Sequence, residues 1–333
     1  MKELKSMLKG MGLLVGIVIA LEIVLRCFYF QTVGTKPTAI GLYYDKVSHT
    51  VDVKDTMRRL LTFQPLDPDH YKKFYNDQEY ATERDQIFTK YEKIFIAFKQ
   101  LANDAGTSLL MLYIPKQTEG NPYVKEYYEN LASHENVPYL NASLAFSRAD
   151  TTNIYEENGL NILSAYGHQV LAKYLYEKIA RYLNFKNKIS FTTRPNLLGD
   201  LNPATDSLWG ERPEDRYRVI TNSQGLRRAR DVTFPRPAQQ KRIVCIGGTM
   251  TFGPFVDNGK TYTDLLENSL DNVAVINAGV MNYTICDEYS YFKVKGQYLE
   301  PDIVVLQVTD DDLYALYPHE QKKHCRGGSY CIR

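Results

Sequence analysis

Short apolar runs alternate with amphipathic helical patterns in the second half of the chain. Ile243 to Ile246, Val273 to Ile276 and Asp302 to Val308 are apolar on both faces, as expected for strands buried in a parallel sheet. Between these runs, apolar residues recur at helical spacing from Tyr262 to Leu270, and more loosely from Tyr289 to Tyr298. The order strand, helix, strand, helix, strand predicts an α/β fold built on a parallel sheet.

The first half of the chain carries elements of the same kinds. Apolar positions from Ile87 to Leu101 predict an amphipathic helix, and Ser108 to Ile114 predicts a buried strand. Val137 to Leu140 predicts another short strand, and a further helical pattern runs from Val170 to Leu183. Residues 31–84 and 186–216 are rich in Pro, Asp and Asn and lack periodicity, which predicts extended linkers.

The N-terminus predicts a single transmembrane helix. Roughly twenty mostly apolar residues run from Met11 to Phe30, enough to cross a hydrocarbon core. Lysines precede this segment, so the N-terminus is expected to stay cytoplasmic and the main domain to lie outside, in the periplasm or extracellular space. The segment from Leu21 to Arg26 contains two charged residues, Glu22 and Arg26. They are four positions apart, so they can form an ion pair on one face of the helix.

A cleaved signal peptide is the alternative for this segment, because small residues near Ala20 could form a cleavage site. We favour an uncleaved signal anchor that holds the protein on membrane lipid.

Composition adds little to this picture. The chain has 40 basic and 39 acidic residues, a net charge of +1, and these charges are well mixed, so nothing favours nucleic acid as a partner. The 26 tyrosines are consistent with compositional bias at core edges, or with a surface that contacts a partner or glycan.

The three strand ends of the second half resemble those of the SGNH (GDSL-type) hydrolases, in particular the membrane-anchored bacterial branch. That family has Gly-Asp-Ser after its first strand, a glycine after the second and Asn-Asp after the third. Here the corresponding segments are Gly247 to Gly253, Asn277 to Gly279 and Thr309 to Asp312. The segment from Tyr217 to Arg227, which precedes the first of these strands, is also similar to the family's sequence. The resemblance covers roughly residues 190–315. It implies a three-layer parallel sheet of SGNH/flavodoxin-like type and an ester-hydrolysing or acyl-transferring activity.

The chain departs from the family at the positions that carry this chemistry. Gly248 replaces the family aspartate, Thr249 stands in place of the nucleophilic serine, and Asp311 falls where an asparagine would donate to the oxyanion; Gly279 is retained. A threonine hydroxyl still needs a base, and an ionised aspartate only accepts hydrogen bonds. These changes predict a site that has lost catalysis.

The family's closing segment, which carries its base, has its counterpart earlier in this chain. Tyr155 to Leu160, followed by Gly167 and His168, resembles that segment, with Glu157 at the acid position and Leu160 where the catalytic histidine belongs. In the family, the glycine-histidine pair opens the last helix, so the resemblance implies a structural role for His168. No Asp-x-x-His box follows Asp312.

This order of segments predicts a circularly permuted domain, in which residues 85–185 supply the second half and 217–315 the first. A tandem or truncated arrangement of two domains is the alternative. The complete predicted organisation is a cytoplasmic N-terminus (1–10), an anchor (11–30), a linker or lid (31–84), the second half (85–185), a linker (186–216), the first half (217–315) and a tail (316–333).

Cysteines and acidic residues give weaker predictions. Cys325 and Cys331 are close enough in sequence to form a disulfide, and free thiols are the alternative. The run Asp310 to Asp312 could offer oxygen ligands, but a cap with solvated neighbours is the commoner role. We predict neither a metal nor a cofactor.

Two functional hypotheses follow. In the first, the protein is a membrane-anchored pseudoenzyme that binds or scaffolds other membrane or extracytoplasmic proteins. In the second, it is an esterase or O-acyltransferase acting on cell-surface carbohydrate, with Thr249 as nucleophile and His168, or a histidine of another chain, as base. The sequence identifies neither the ligand nor the oligomeric state.

Overall fold

The computed structural model describes residues 74–75, 78–118, 120–157, 161–210 and 215–316. The predicted anchor, with Met11, Leu21, Arg26 and Phe30, lies outside these ranges, as do Leu160 and the cysteine pair Cys325 and Cys331. None of the helices within the described ranges has the length and apolar character that a membrane crossing requires.

The described helices and strands follow the predicted alternation. The α-helices are α1 Ala81–Asp104, α2 Pro122–His134, α3 Ser143–Phe146, α4 Ala165–Ile179, α5 Thr249–Phe252, α6 Tyr262–Ser269 and α7 Ile285–Val294. The strands are β1 Ser108–Tyr113, β2 Tyr139–Asn141, β3 Asp206–Trp209, β4 Tyr217–Ile220, β5 Lys241–Ile246, β6 Val273–Asn277 and β7 Ile303–Val308.

Five of the strands form one parallel sheet in the order β2-β1-β7-β5-β6. Strand β1, from the first half of the chain, pairs with β7 along its whole length, from Ser108 opposite Ile303 to Tyr113 opposite Val308. The predicted parallel sheet and α/β architecture are therefore confirmed.

Helices cover both faces of this sheet. Successive strand residues alternate between two cores, as the pleat of a strand requires. On one face, Phe95 and Phe98 of α1 pack with Phe292 of α7, whose ring stacks on that of Phe98 at 5.2 Å between centroids. On the other face, Leu171 of α4 and Leu266 of α6 pack against the alternate strand positions. The sheet and the helices on its two faces therefore form three layers.

Element boundaries differ from the predictions where local hydrogen bonds intervene. Strand β2 begins at Tyr139, not Val137, because the N–H of Val137 donates to Ala132 O at 2.8 Å and closes the end of α2. Helix α4 begins before Val170, since the Ser164 hydroxyl accepts from the N–H of Gly167 at 3.0 Å as its N-cap.

The segment 186–216, predicted as linker, contains a strand. Strand β3 pairs antiparallel with β4 to form a separate two-stranded sheet. The start of the segment is tied to the amino end of the large sheet, because the N–H of Asn187 donates to Asp302 Oδ1 at 2.6 Å and its side-chain amide donates to Pro301 O at 2.9 Å. These residues therefore pack as part of the domain.

Candidate functional site

The carboxyl ends of β5, β6 and β7 meet at one edge of the sheet, where ligands of open α/β folds bind. At the end of β5, Gly247 is required by packing: a Cβ there would lie 2.5 Å from both Gln307 Oε1 and Thr251 Oγ1. Gly248 is less confined, and the nearest atom to a Cβ there would be Tyr283 O at 3.2 Å. Thr249 follows as the first residue of α5.

Thr249 is half-buried, and its hydroxyl interacts with backbone. Its Oγ1 accepts a hydrogen bond from the N–H of Asn282 at 3.3 Å. Asn282 has a left-handed backbone (φ 64°), a conformation that L-residues seldom adopt and that often occurs at ligand-binding sites. No imidazole among the described residues hydrogen-bonds to this hydroxyl, so the structure shows no general base at Thr249 in this part of the chain.

The His168 side chain lies in the core and hydrogen-bonds to the backbone of α6. It is fully buried, and its Nδ1 accepts from the N–H of Tyr262 at 3.1 Å, with the two rings stacked at 6.0 Å. Burial, reinforced by the charge of Arg227, lowers the pKa of His168 to about 3, so the imidazole is neutral and its proton is on Nε2. His168 makes no direct hydrogen bond to Thr249, so its role as the base stays a prediction.

Gly279 is the glycine that the resembling family also has after its second strand, and its N–H is used within the chain. It donates to Asn277 Oδ1 at 3.0 Å, and both residues are buried. The Asn277 amide in turn donates to Thr251 O at 2.8 Å, which fixes α5 against the end of β6. A Cβ on Gly279 would lie 2.4 Å from the backbone nitrogen of Phe252, so close packing explains the glycine without catalysis.

Asp311 forms an ion pair with Lys116, and both side chains are partly exposed. The sequence correctly places this carboxylate at the strand end, but it does not predict the lysine, which follows β1 across the sheet edge. The pairing stabilises a carboxylate in the position where the family has an oxyanion donor.

The neighbouring aspartates have structural partners. The Asp310 carboxylate accepts from the Tyr113 hydroxyl, from the N–H of Lys116 at 2.8 Å and from the N–H of Asn121 at 3.0 Å. Asp312 Oδ2 accepts from the N–H of Thr309 at 2.9 Å. Within the described ranges, no group of three or more His, Cys, Asp or Glu side chains is arranged to hold a metal ion.

A buried carboxyl that the sequence did not predict lies behind Asp312. Glu288 of α7 is 2% exposed. Burial, then the charges of Asp312 and Asp287, raises the pKa of Glu288 well above its usual range. Burial also raises the pKa of Asp312 to about 8. Two carboxyl groups near the end of β7, those of Asp312 and Glu288, therefore favour their protonated forms.

Arg227 fixes the loop after α5. It is 1% exposed and donates to Phe252 O and Val256 O, both at 2.5 Å, and to Gly253 O. Its guanidinium also stacks on the ring of Phe252 at 4.6 Å. The segment from Tyr217 to Arg227, noted for its resemblance, thus ends in a cation that binds the loop carrying the left-handed Phe255 (φ 64°).

Of the other predicted positions, Glu157 lies within the described residues and Leu160 outside them. Glu157 is exposed on the surface. The hairpin of β3 and β4 does reach the region, because Trp209 and Tyr217 pack with Phe252 and Met281 in a small apolar cluster.

Two solved structures from Pseudomonas are similar to this chain. One is the O-acetyltransferase domain of Pseudomonas putida AlgJ, with 14% identity, a TM-score of 0.46, and coverage of 70% of this chain and 86% of that one. The other is Pseudomonas aeruginosa AlgX, with 13% identity, a TM-score of 0.38, and coverage of 70% of this chain and 58% of that one. No family model and no curated protein matches the chain. At this level of similarity, neither structure defines a family or an activity for the chain.

Proposed function

We propose that this protein is a membrane-anchored, extracytoplasmic pseudoenzyme of SGNH-like fold that serves as a binding or scaffolding module, for example as an accessory subunit of a membrane complex. The observation that carries the proposal is the state of three positions at the strand-end edge. The Thr249 hydroxyl accepts from backbone, the Gly279 N–H is bonded to Asn277, and Asp311 is paired with Lys116.

Each of these contacts stabilises the site without preparing it for acyl transfer. A hydroxyl nucleophile needs a base within about 3.2 Å or one water away. An oxyanion needs free donors aimed at it, and a carboxylate in their place opposes the developing charge. The three contacts instead occupy the Thr249 hydroxyl, the Gly279 N–H and the Asp311 carboxylate with groups of the same chain.

Circular permutation is the most economical account of the architecture. Strands β1 and β2, from residues 85–185, continue the sheet formed by the strands of residues 217–315. Two separate α/β domains would each need their own parallel sheet, whereas one permuted domain needs a single parallel sheet, and the described residues form one. The anchor and the extracytoplasmic location rest on the apolar segment 11–30 and the lysines before it.

The second candidate, an esterase or O-acyltransferase on cell-surface carbohydrate, has one observation in its favour. Thr249 is half-buried and lies at a strand-end edge, so a small acyl group could reach it. It would require a base from outside the described residues or from another chain.

Turnover of acetyl esters separates the two candidates. The purified full-length protein and its Thr249→Ala variant should hydrolyse a chromogenic acetyl ester at the same rate, no faster than buffer containing an inert protein. The pseudoenzyme proposal is wrong if the unmodified protein turns over the ester and Thr249→Ala abolishes that turnover while unfolding at the same denaturant concentration.

Binding is tested separately, by affinity purification of the full-length chain from solubilised membranes. We expect stoichiometric co-purification of at least one membrane or extracytoplasmic protein. Purification of the chain without any partner, under conditions where its fold is intact, would contradict the scaffolding role.

A further inference from the structure

The small sheet of β3 and β4 has two edges, and the β4 edge is closed. The N–H of Arg218 donates to Asp257 Oδ1 at 2.8 Å, and Arg218 O accepts from the N–H of Asn258 at 3.1 Å. The Asn258 side chain accepts from the N–H of Ile220 at 3.0 Å and donates to Ile220 O at 2.8 Å. All four outward peptide groups of this edge are thus satisfied within the chain.

The β3 edge is open. Leu208 lies opposite Arg218, and Asp206 opposite Ile220. Since Arg218 and Ile220 point their peptide groups away from β3, Asp206 and Leu208 point theirs away from β4, as in non-hydrogen-bonded antiparallel pairs. Among the residues that the structure describes, the peptide groups of Asp206 and Leu208 have no hydrogen-bond partner on that outer side. The Leu208 side chain is 64% exposed.

Charge does not protect this edge. Proteins commonly blunt an open strand with an unpaired lysine, a proline or a bulge. Here the charged neighbours Asp206 and Arg218 form an ion pair at 2.5 Å, with their side chains 52% and 58% exposed. The pair leaves no net charge on the strand, so a second strand can approach it.

We propose that β3 is a dimerisation edge, at which two copies of this chain pair their β3 strands antiparallel about a two-fold axis at Ser207. This register sets Asp206 opposite Leu208 of the partner subunit. In this register the outward peptide groups of Asp206 and Leu208 of both copies are all paired. Four hydrogen bonds form, because each opposed pair of residues exchanges two.

Charge complementarity favours this register over its neighbours. Centring the axis on Asp206 would place two carboxylates directly opposite each other, which is destabilising. With the axis at Ser207, each carboxylate faces a leucine and keeps its own Arg218, while Leu208 is covered by the partner subunit. A four-residue strand buries little surface, so the dimer is expected to be weak and concentration-dependent.

Proline substitution tests the edge selectively. Leu208→Pro removes an N–H that faces solvent in the monomer, and edge strands tolerate such a proline. Sedimentation of the full-length chain across a concentration series should show a monomer–dimer equilibrium, and Leu208→Pro should weaken it at least about tenfold. The matched variant Leu208→Ala keeps the N–H and should weaken it less.

A cysteine at the axis provides a second measurement that does not depend on proline being tolerated. Directly opposed residues in a non-hydrogen-bonded pair lie close enough for a disulfide. Ser207→Cys should therefore cross-link two copies under mild oxidation beyond the background of the unmodified chain, whereas Thr205→Cys should not. A chain that stays monomeric at every concentration, a dimer insensitive to Leu208→Pro, or equal cross-linking at both positions would overturn the proposal.

Discussion

At the scale of single residues, the strand-end edge is packed more tightly than its sequence motif suggests. Gly247 and Gly279 are glycines because neighbouring atoms leave no room for a side chain. Gly248, at the position where the resembling family has an aspartate, has more space around it. A side chain at Gly248 would therefore meet a less severe contact than one at Gly247 or Gly279.

The substitution Gly279→Ala should destabilise the protein. Its Cβ would lie 2.4 Å from the nitrogen of Phe252 and 2.7 Å from the carbonyl carbon of Thr251, and these backbone atoms cannot move without shifting α5. Overpacking of this kind costs about 1–3 kcal/mol. Equilibrium unfolding in denaturant measures the change.

Gly248→Ala is the matched control, because the nearest atom to its Cβ would be Tyr283 O at 3.2 Å. We expect a clearly smaller loss of stability for Gly248→Ala than for Gly279→Ala. Equal losses in the two variants would show that packing at Gly279 is not the reason for that glycine.

At the scale of elements, β7 and α7 are coupled through acidic groups. Burial raises the pKa of Asp312, just after β7, to about 8, and burial also raises the pKa of Glu288 of α7, to which the charge of Asp312 adds. The hydroxyl of Tyr91 from α1 is buried in the same region, and burial, followed by the charges of Asp312 and Glu288, raises its pKa well above the usual value. The loop that carries Asp311 thus packs on the helical layer near the Asp312 and Glu288 carboxyls, whose raised pKa values favour the protonated form.

This coupling predicts a definite pH dependence of folding. The folded state holds protons on these carboxyls more tightly than the unfolded state, so stability is greatest at low pH with respect to these groups. It should fall from about pH 4, the ordinary carboxyl range, towards about pH 8, the raised pKa of Asp312. Glu288→Gln should raise the free energy of unfolding at pH 8 by at least about 1 kcal/mol and make the decline shallower.

The exposed Glu126 of α2 offers a control of the same chemistry. Glu126→Gln should leave the pH profile of the unfolding free energy unchanged. If Glu288→Gln also left it unchanged, the carboxyl at 288 would not be held in its protonated form.

At the scale of the whole molecule, the large sheet could be predicted because strands buried on both faces are continuous apolar runs. The strand β3 could not, because Asp206 and Leu208 face solvent and only Trp209 of this strand is buried, so no apolar run marks it. The pairing of Lys116 with Asp311 joins residues 195 positions apart, and no local pattern signals such a contact. The same is true of Arg227, whose carbonyl partners are set by the folded loop.

The central claim, that a hydrolase-like scaffold has kept its fold without a working nucleophile, is tested most directly by covalent labelling. The full-length protein is incubated with a serine-directed fluorophosphonate, and its intact mass is measured beside that of Thr249→Ala. The account predicts no adduct on either protein. A stoichiometric adduct that maps to Thr249, and that is absent from Thr249→Ala, would contradict it.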